Sequence, residues 1–460
     1  MKINKSPWIH QLDHTRKAIP LGSDLDTDIA IIGAGIAGVS TAFFVLKYTK
    51  HRVTIFEQGK LAHGATGHNA GQAIARFERP LYDLVDEFGF KKTQSALHDL
   101  RSTWALLDEM YTDANLDILF SRVSGVRGFS DLNQVLETLK DLEIEHMAGL
   151  TPNKILINKN APFRDSLPKA YENLYEFVSH KDILNKLETE SADFQAVAID
   201  QAACMNSALF CQEVASYLLH KFPDRFLIYE NTHIIKTVLK QNHVLLDAGK
   251  HTVHAHKVVL CTNGFEKIEI FNENGLEVDK RFHHTVIGKV GYMSGYLENL
   301  NKAGAAIAYY TKDSDPAHDD PYYYLTRRPH EMGDEKHNLV CVGGPEVAIN
   351  DREEYLNDYD YPDKIPSDID SFIKKVYDPD PNRKIDYQFT WHGLMGYTPN
   401  RVRLIGAEPK NPVLLYNLGC NGIGIIPSIF GGRKIARIIA GETLEESIFD
   451  PRVDAKPQVR

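Results

Sequence analysis

The sequence predicts an α/β protein: a Rossmann-like, dinucleotide-binding domain combined with a second domain built on a mixed sheet. Three observations carry that expectation. Residues 28–57 read as strand, glycine-rich turn, helix, second strand and acid. A chain of 460 residues exceeds what one core ordinarily organises. Across residues 265–384, short strands alternate with polar, acidic loops that carry no nucleotide features.

The first stretch assigns a task to each residue type. Ile29 to Ile32 is an apolar run of strand length that ends at Gly33-Ala-Gly35-Ile36-Ala37-Gly38. Gly33 permits a tight turn, Gly35 admits a pyrophosphate against the backbone, and Gly38 lets helix and strand pack closely. The helix that starts at Ile36 and Ala37 points unpaired N–H groups and positive potential at phosphate. Val53 to Phe56 forms the second strand, and Glu57 follows 19 residues after Gly38, with Gln58 beside it. A carboxylate there accepts hydrogen bonds from a ribose 2′-OH and repels a 2′-phosphate. Three glycines alone are weak evidence; the flanking strand, helix, second strand and spaced acid make the pattern specific.

Composition narrows the classes. The hydrophobic content of 43% suits a globular interior. A formal charge of −10 with scattered signs offers no basic patch for nucleic acid. The five cysteines are far apart and include no Cys-x-x-Cys, which suits reduced thiols better than a disulfide frame. The N-terminus has no apolar signal core and no apolar run reaches membrane-spanning length, so the expected location is the cytoplasm. Among 20 histidines, His254 and His256 share a strand face and His283-His284 form a pair. Neither set has a third ligand at suitable spacing, and no metal site is expected.

In chain order, residues 1–27 are a polar lead-in that should lie against the body to cover Trp8 and Ile9. Leu61 to Gln72 is rich in small and hydrogen-bonding residues and belongs beside the dinucleotide. Residues 81–110 read as helix, with Gly89 separating two segments and Leu97, Leu100, Trp104 and Leu107 forming a core stripe. A helical patch covers 131–150, a proline-bearing linker 151–170, and another helix 207–222. Residues 233–240, 243–247 and 252–254 form a strand meander. Strands follow at 284–292, 322–327 and 339–342, with charged loops at 313–321 and 350–370.

Three separated motifs resemble the FAD-dependent amine and amino-acid oxidases of the D-amino-acid oxidase type. The loop Gly64-Ala65-Thr66-Gly-His68-Asn69-Ala-Gly71-Gln72 is similar to that family's loop at the flavin. Trp391-His392-Gly393 through Thr398-Pro399 and then Gly419-Cys-Asn421-Gly422-Ile423-Gly424 resemble its closing strand and glycine turn. The strand ending Cys261-Thr262-Asn-Gly264 resembles the one that returns to the cofactor. The resemblance implies FAD contacts at Gly64, Ala65, Thr66, His68, Asn69, Gly71, Gln72, Thr262, Gly264, Gly393, Asn421, Gly422, Ile423 and Gly424. It also implies that the FAD-binding domain comprises 1–85, 196–265 and 385–447. A helical segment, 86–195, and an interleaved substrate domain, 266–384, would complete the chain.

The implied reaction is oxidation of a C–N bond in a small amine or amino acid, with oxygen or another electron acceptor as partner. Arg76, Tyr322, Tyr324, Arg327 and His392 are the candidates to line the substrate site, since tyrosines and an arginine suit a substrate carboxylate. His68 stands where some dehydrogenases of the family carry a histidine joined covalently to flavin. The chain departs from sarcosine oxidases in lacking their oxygen-activating lysine at 339–342, their carboxylate-binding lysine near Ile426 and their flavin-linking cysteine around Leu394. Two alternatives remain at this stage: an NAD-dependent dehydrogenase, or a flavin-binding protein without catalysis.

Overall fold

A computed structural model describes residues 4–264, 268–278, 286–312, 322–332, 335–349, 355, 362, 364–378 and 384–452. The pair His283-His284, the loop 313–321 and most of 350–363 lie outside the described residues.

Leu25–Ile32 is apolar on both faces towards its end because it is a central strand covered on each side. It pairs in parallel with Val53–Phe56 on one edge and Thr252–Leu260 on the other. Phe226–Tyr229 extends the parallel set beyond Val53–Phe56. The other edge of Thr252–Leu260 is shared. Its first half takes the antiparallel meander strand Val244–Asp247, and its second half takes Leu414–Leu418 in parallel. Lys236–Leu239, Glu269–Asn272 and Leu404–Ala407 complete nine strands.

The helix Ile36–Tyr48 is buried on nearly every side. It lies between this sheet and the C-terminal helix Ile425–Ile439, so its apolar residues run all round rather than along a stripe. Ser40 Oγ donates to Ile36 O at 2.6 Å and to Ser428 O at 3.2 Å, stitching the two helices together.

A second sheet of ten strands follows the neighbour order Tyr387–Tyr397, Ile287–Glu298, Glu335–Ile349, Tyr323–Met332, Ala305–Tyr310, Phe120–Phe129, Ala196–Met205, Ile155–Asn158 and Tyr175–Val178. The short strand Gln72–Ile74 joins it against Ala196–Met205. Three strands expected on the nucleotide side (72–74, 196–205 and 387–397) therefore belong to the second sheet, while 269–272 belongs to the first. Pairings between residues from tens to more than a hundred positions apart decide this, and local pattern does not encode them. The expected linker 151–170 contains the strand Ile155–Asn158, flanked rather than broken by Pro152 and Pro162. Lys364–Phe372 is helical where a charged loop was expected.

The expected helices do form as Leu81–Phe88 and Phe90–Asp113, parted at Gly89 with φ +81°, then Leu132–Met147 and Ser207–Lys221. The lead-in is anchored as its composition required. Trp8 is fully buried and packs edge-on to Trp391, with ring centroids 6.3 Å apart. All five cysteines are free thiols, four of them buried. No helix among the described residues is long and apolar enough to cross a membrane.

Candidate cofactor and substrate site

One cavity of about 310 Å³ joins the glycine turn of the first sheet to the face of the second. Gly33 turns with φ +106°, and its N–H donates to Phe56 O at 2.8 Å. A Cβ at Gly38 would stand 1.9 Å from Gly33 O, so only glycine lets the helix start this close to the strand. Gly38 thus shapes the turn without lining the cavity, whereas Gly33, Gly35, Ile36 and Ala37 line it. Ile36 N–H is held by Thr66 Oγ1 at 3.0 Å.

Glu57 faces the same end. Its Oε2 accepts Ala34 N–H at 2.9 Å and its Oε1 accepts Gly59 N–H at 2.8 Å. Burial raises its pKa, and the two N–H donors pull the other way. Two of the roughly four acceptor positions of this carboxylate are used, leaving room for ribose hydroxyls. Gln58 lines the cavity alongside it.

The loop after the second strand turns through Ala65–Gly67. Gly64, Ala65, Thr66, His68, Asn69 and Gln72 line the cavity; Gly71 instead packs under Trp8. His68 Nδ1 lies 2.9 Å from Gly64 O. A carbonyl can only accept, so Nδ1 carries the proton and Nε2 keeps its lone pair. Burial lowers the His68 pKa to about 4. Gly393 on the strand Tyr387–Tyr397 meets this loop so closely that a Cβ would stand 2.2 Å from His68 O.

At the other end, Gly422, Ile423 and Gly424 line the cavity and lead into Ile425–Ile439. Asn421 does not line it. Its Oδ1 accepts Thr398 N–H at 2.8 Å and its Nδ2 donates to Gly419 O, so it holds the closing loop from behind. Thr262 lines the cavity, whereas Gly264 lies against Val286 behind it.

Two further residues stand at the site: Asn263, inside the expected contact stretch 262–264, and Arg403, which sequence reasoning passed over. Asn263 Oδ1 accepts Cys420 N–H at 2.8 Å, tying the returning strand to the closing loop. Arg403 is buried and lines the cavity. Its guanidinium donates to Asn417 Oδ1 at 2.7 Å, Asn417 O at 2.9 Å and Gly419 O at 3.3 Å, with no carboxylate in salt-bridge range among the described residues. Burial pulls its pKa down to about 10.

The residues present fit FAD on three counts. A Cβ at Gly35 would stand 2.8 Å from Thr66 Oγ1 and fill the cradle at the helix start. Two helix N-termini, at Ile36 and Ile425, open on the cavity, together with the unmatched charge of Arg403, and a diphosphate requires such donors. Glu57 supplies the acceptor for a ribose.

The second sheet provides the remaining wall. Gln72, Ile74, Arg76 and Glu78 all line the cavity at two-residue spacing, the strand period. Glu78 was not expected from sequence, because the strand itself ends at Ile74 and the two-residue spacing beyond it is not marked by strand residues. Tyr322 OH donates to Glu78 Oε1 at 3.2 Å, and Tyr322 meets Tyr324 edge-on at 5.8 Å. Arg76 stands 3.9 Å from Asp200. Burial lowers its pKa, but Tyr310, Glu78, Tyr322 and Asp200 outweigh that and hold it above its ordinary value. Met293 and Glu346 also reach the cavity, and neither was expected from sequence.

Two expected substrate residues are elsewhere. Arg327 is 1% exposed and belongs to an ion-pair cluster, with Nη1 and Nη2 each 2.6 Å from the Glu188 carboxylate and Nη1 2.6 Å from Tyr377 OH. Along Tyr323–Met332 side chains alternate, so Arg327 takes the face opposite Tyr324 and Thr326, and Thr326 bonds Gln72 at 2.9 Å. His392 does not line the cavity either. Its neighbours Gly393, Leu394, Met395 and Tyr397 line the cavity, while the His392 ring is engaged away from it, with Nδ1 2.6 Å from Tyr355 OH.

Comparison with known proteins agrees with this architecture. The Haemophilus influenzae protein named Probable oxidoreductase OrdL is 20% identical over 435 residues, covering 94% of this chain and 87% of that protein. The fold is similar to glycine oxidase from Geobacillus kaustophilus, with TM-score 0.66 and 15% identity over 94% of this chain and all of the other. L-proline dehydrogenase from P. horikoshii is similar at TM-score 0.64 and 14% identity, covering 91% and 95% of the two chains. A model of the FAD dependent oxidoreductase family matches residues 28–438, from the first strand through the closing helix, and the chain belongs to that family of FAD-dependent oxidoreductases.

Proposed function

We propose that the chain oxidises a C–N bond in a small amine or amino acid, giving an imine that water hydrolyses. When bound, the flavin ring supplies the acceptor for the hydride leaving the carbon that bears the amine. The chain's own residues have to orient that carbon, exclude water and keep the nitrogen unprotonated. The observation that carries this reading is the convergence of Arg76, Glu78, Tyr322 and Tyr324 on one wall of the cofactor cavity. Arg76 and the phenols suit a carboxylate, and Glu78 suits an amine. The names of two similar structures, an oxidase of glycine and a dehydrogenase of L-proline, support the same substrate class. We also propose that labour divides by sheet rather than at the boundaries 85, 196, 265 and 385. The first sheet holds the dinucleotide and the second presents the substrate wall.

The test is a panel of primary and secondary amines and amino acids mixed anaerobically with the flavin-loaded protein. At least one member should bleach the visible flavin band. Peroxide formation in air against reduction of an added dye then separates oxygen from another acceptor. If no amine or amino acid reduces the flavin, the reading fails.

A further inference from the structure

A second cavity of about 70 Å³ lies behind the substrate wall, and Arg76, Glu78 and Tyr322 line both cavities. The helix Leu132–Met147 also lines it, turning Glu137, Asp141 and Glu145 inward at four-residue spacing. Like charges at that spacing work against a helix, so the stripe requires an explanation. Cations answer two of the three: Lys140 Nζ is 2.7 Å from Glu137, and Arg101 Nη2 is 2.9 Å from Glu145. On the neighbouring strands Arg127 holds Asp200 at 2.9 Å. Asp141 has no cation within salt-bridge distance among the described residues; its Oδ1 accepts Leu81 N–H at 2.7 Å.

A buried carboxyl with no cation beside it keeps its proton more readily than an ion-paired one. Burial pushes its pKa up, Leu81 N–H and Arg127 oppose that, and Glu145 and Glu137 add to it, for a value of about 7. The cavity is not sealed. Glu145, Glu137 and Asp200 are 12%, 16% and 19% exposed, so a route from Glu78 to solvent exists along their side chains. Its volume is several times the ~10–15 Å³ that one water needs.

We propose that Glu78 takes the proton a substrate ammonium must shed, and that Asp141 passes it outward through the second cavity. The inference rests on the reading that the substrate is an amine. One N–H bond of the ammonium breaks, its electron pair stays on nitrogen, and an O–H bond forms on Glu78. Tyr322, donating to Glu78 Oε1, keeps the carboxylate turned toward the site. The proton then moves to Asp141 as the proton already on Asp141 leaves to solvent. No oxidant or reductant enters this step.

The test compares wild type with Glu78→Gln and Asp141→Asn by the second-order rate of anaerobic flavin reduction against pH. Near pH 7 an aliphatic amine with a solution pKa of about 10 arrives protonated, whereas near pH 10 half of it arrives neutral. Both variants should be slower by ~10-fold or more at pH 7, within the range of general acid–base effects, and should recover to within about twofold at pH 10. Asp141→Glu should restore most of the loss. Independently of turnover, the infrared band of a protonated carboxyl should vanish in Asp141→Asn, and in wild type it should fade as pH rises through about 7. A uniform loss at all pH values, no loss, or no such band overturns the proton outlet while amine oxidation stands. A wild-type flavin that no amine reduces overturns both.

Discussion

Replacing Glu188 by Gln tests whether Arg327 belongs to the scaffold or to the chemistry. The substitution leaves a guanidinium that is 1% exposed without its bidentate carboxylate. Removing one partner of a buried pair costs ~3–5 kcal/mol. Two features lower that here. Glu188 is 30% exposed, and Glu298 remains 3.9 Å from Arg327 Nε to carry part of the charge. Gln also still offers one acceptor to the fork, and Tyr377 OH and Ala303 O are untouched. The expected loss is therefore ~2–3 kcal/mol. For 460 residues the unfolding entropy is on the order of 1 kcal/mol per kelvin, so melting would move only about 2–3 °C and urea denaturation is the better assay. Cofactor absorbance per folded molecule and kcat/KM should match wild type. Unchanged stability with a fall in kcat/KM would refute the argument and return Arg327 to the substrate site.

Gly38→Ala should yield protein unable to retain flavin, read as the visible-to-ultraviolet absorbance ratio, because the new methyl meets Gly33 O at 1.9 Å. Glu57→Gln should weaken FAD binding about 10–100-fold, the worth of ~1.5–3 kcal/mol for hydrogen bonds to a charged acceptor, by titration of the apoprotein. Acid-precipitated protein should release its yellow colour to the supernatant; colour kept in the pellet would mark a covalent link, for which His68, lining the cavity, is the candidate. Asp141→Asn should stabilise the protein in alkaline but not acidic urea titrations. The folded pKa of about 7 exceeds the unfolded value near 3.8, so stability is lost as pH rises between them, by at most ~4 kcal/mol and on the order of 2 for a half-buried side chain.

The legibility of the site follows from the range of the interactions that build it. Gly33, Gly35, Gly38 and Glu57 were readable because turn, helix start and acid are fixed within 30 residues by local geometry. Tyr322 and Tyr324 were readable from position, and the alternation of the strand expected at 322–327 already sets Arg327 on the opposite face from them; residue type, an arginine suited to a carboxylate, had outweighed that geometry. Glu78 was present in the pattern Gln72, Ile74, Arg76, Glu78, yet that segment is strand only through Ile74, which hid the period. Arg403 and the stripe on Leu132–Met147 carried no motif. A buried guanidinium among carbonyls and three inward carboxylates become visible only once tertiary burial is known.

The path from Asn69 to Glu78 shows why cofactor loop and substrate wall act as one object. In ten residues the chain leaves the loop that lines one end of the cavity and enters the second sheet, with four alternate side chains turned into the cavity. A slip of one residue would turn all four away and bring Ala73, Ala75 and Phe77 inward. The register is clamped just upstream. Trp8 Nε1 and Trp391 Nε1 both donate to Asn69 O, at 2.6 and 3.2 Å, while Asn69 Oδ1 accepts Gly71 N–H at 2.7 Å and its Nδ2 donates to Ser207 Oγ at 2.8 Å. The lead-in, the closing strand and a helix of the first sheet thus converge on one residue. That convergence explains a tryptophan at position 8, far from any chemistry, yet buried beside the loop that positions Arg76 and Glu78.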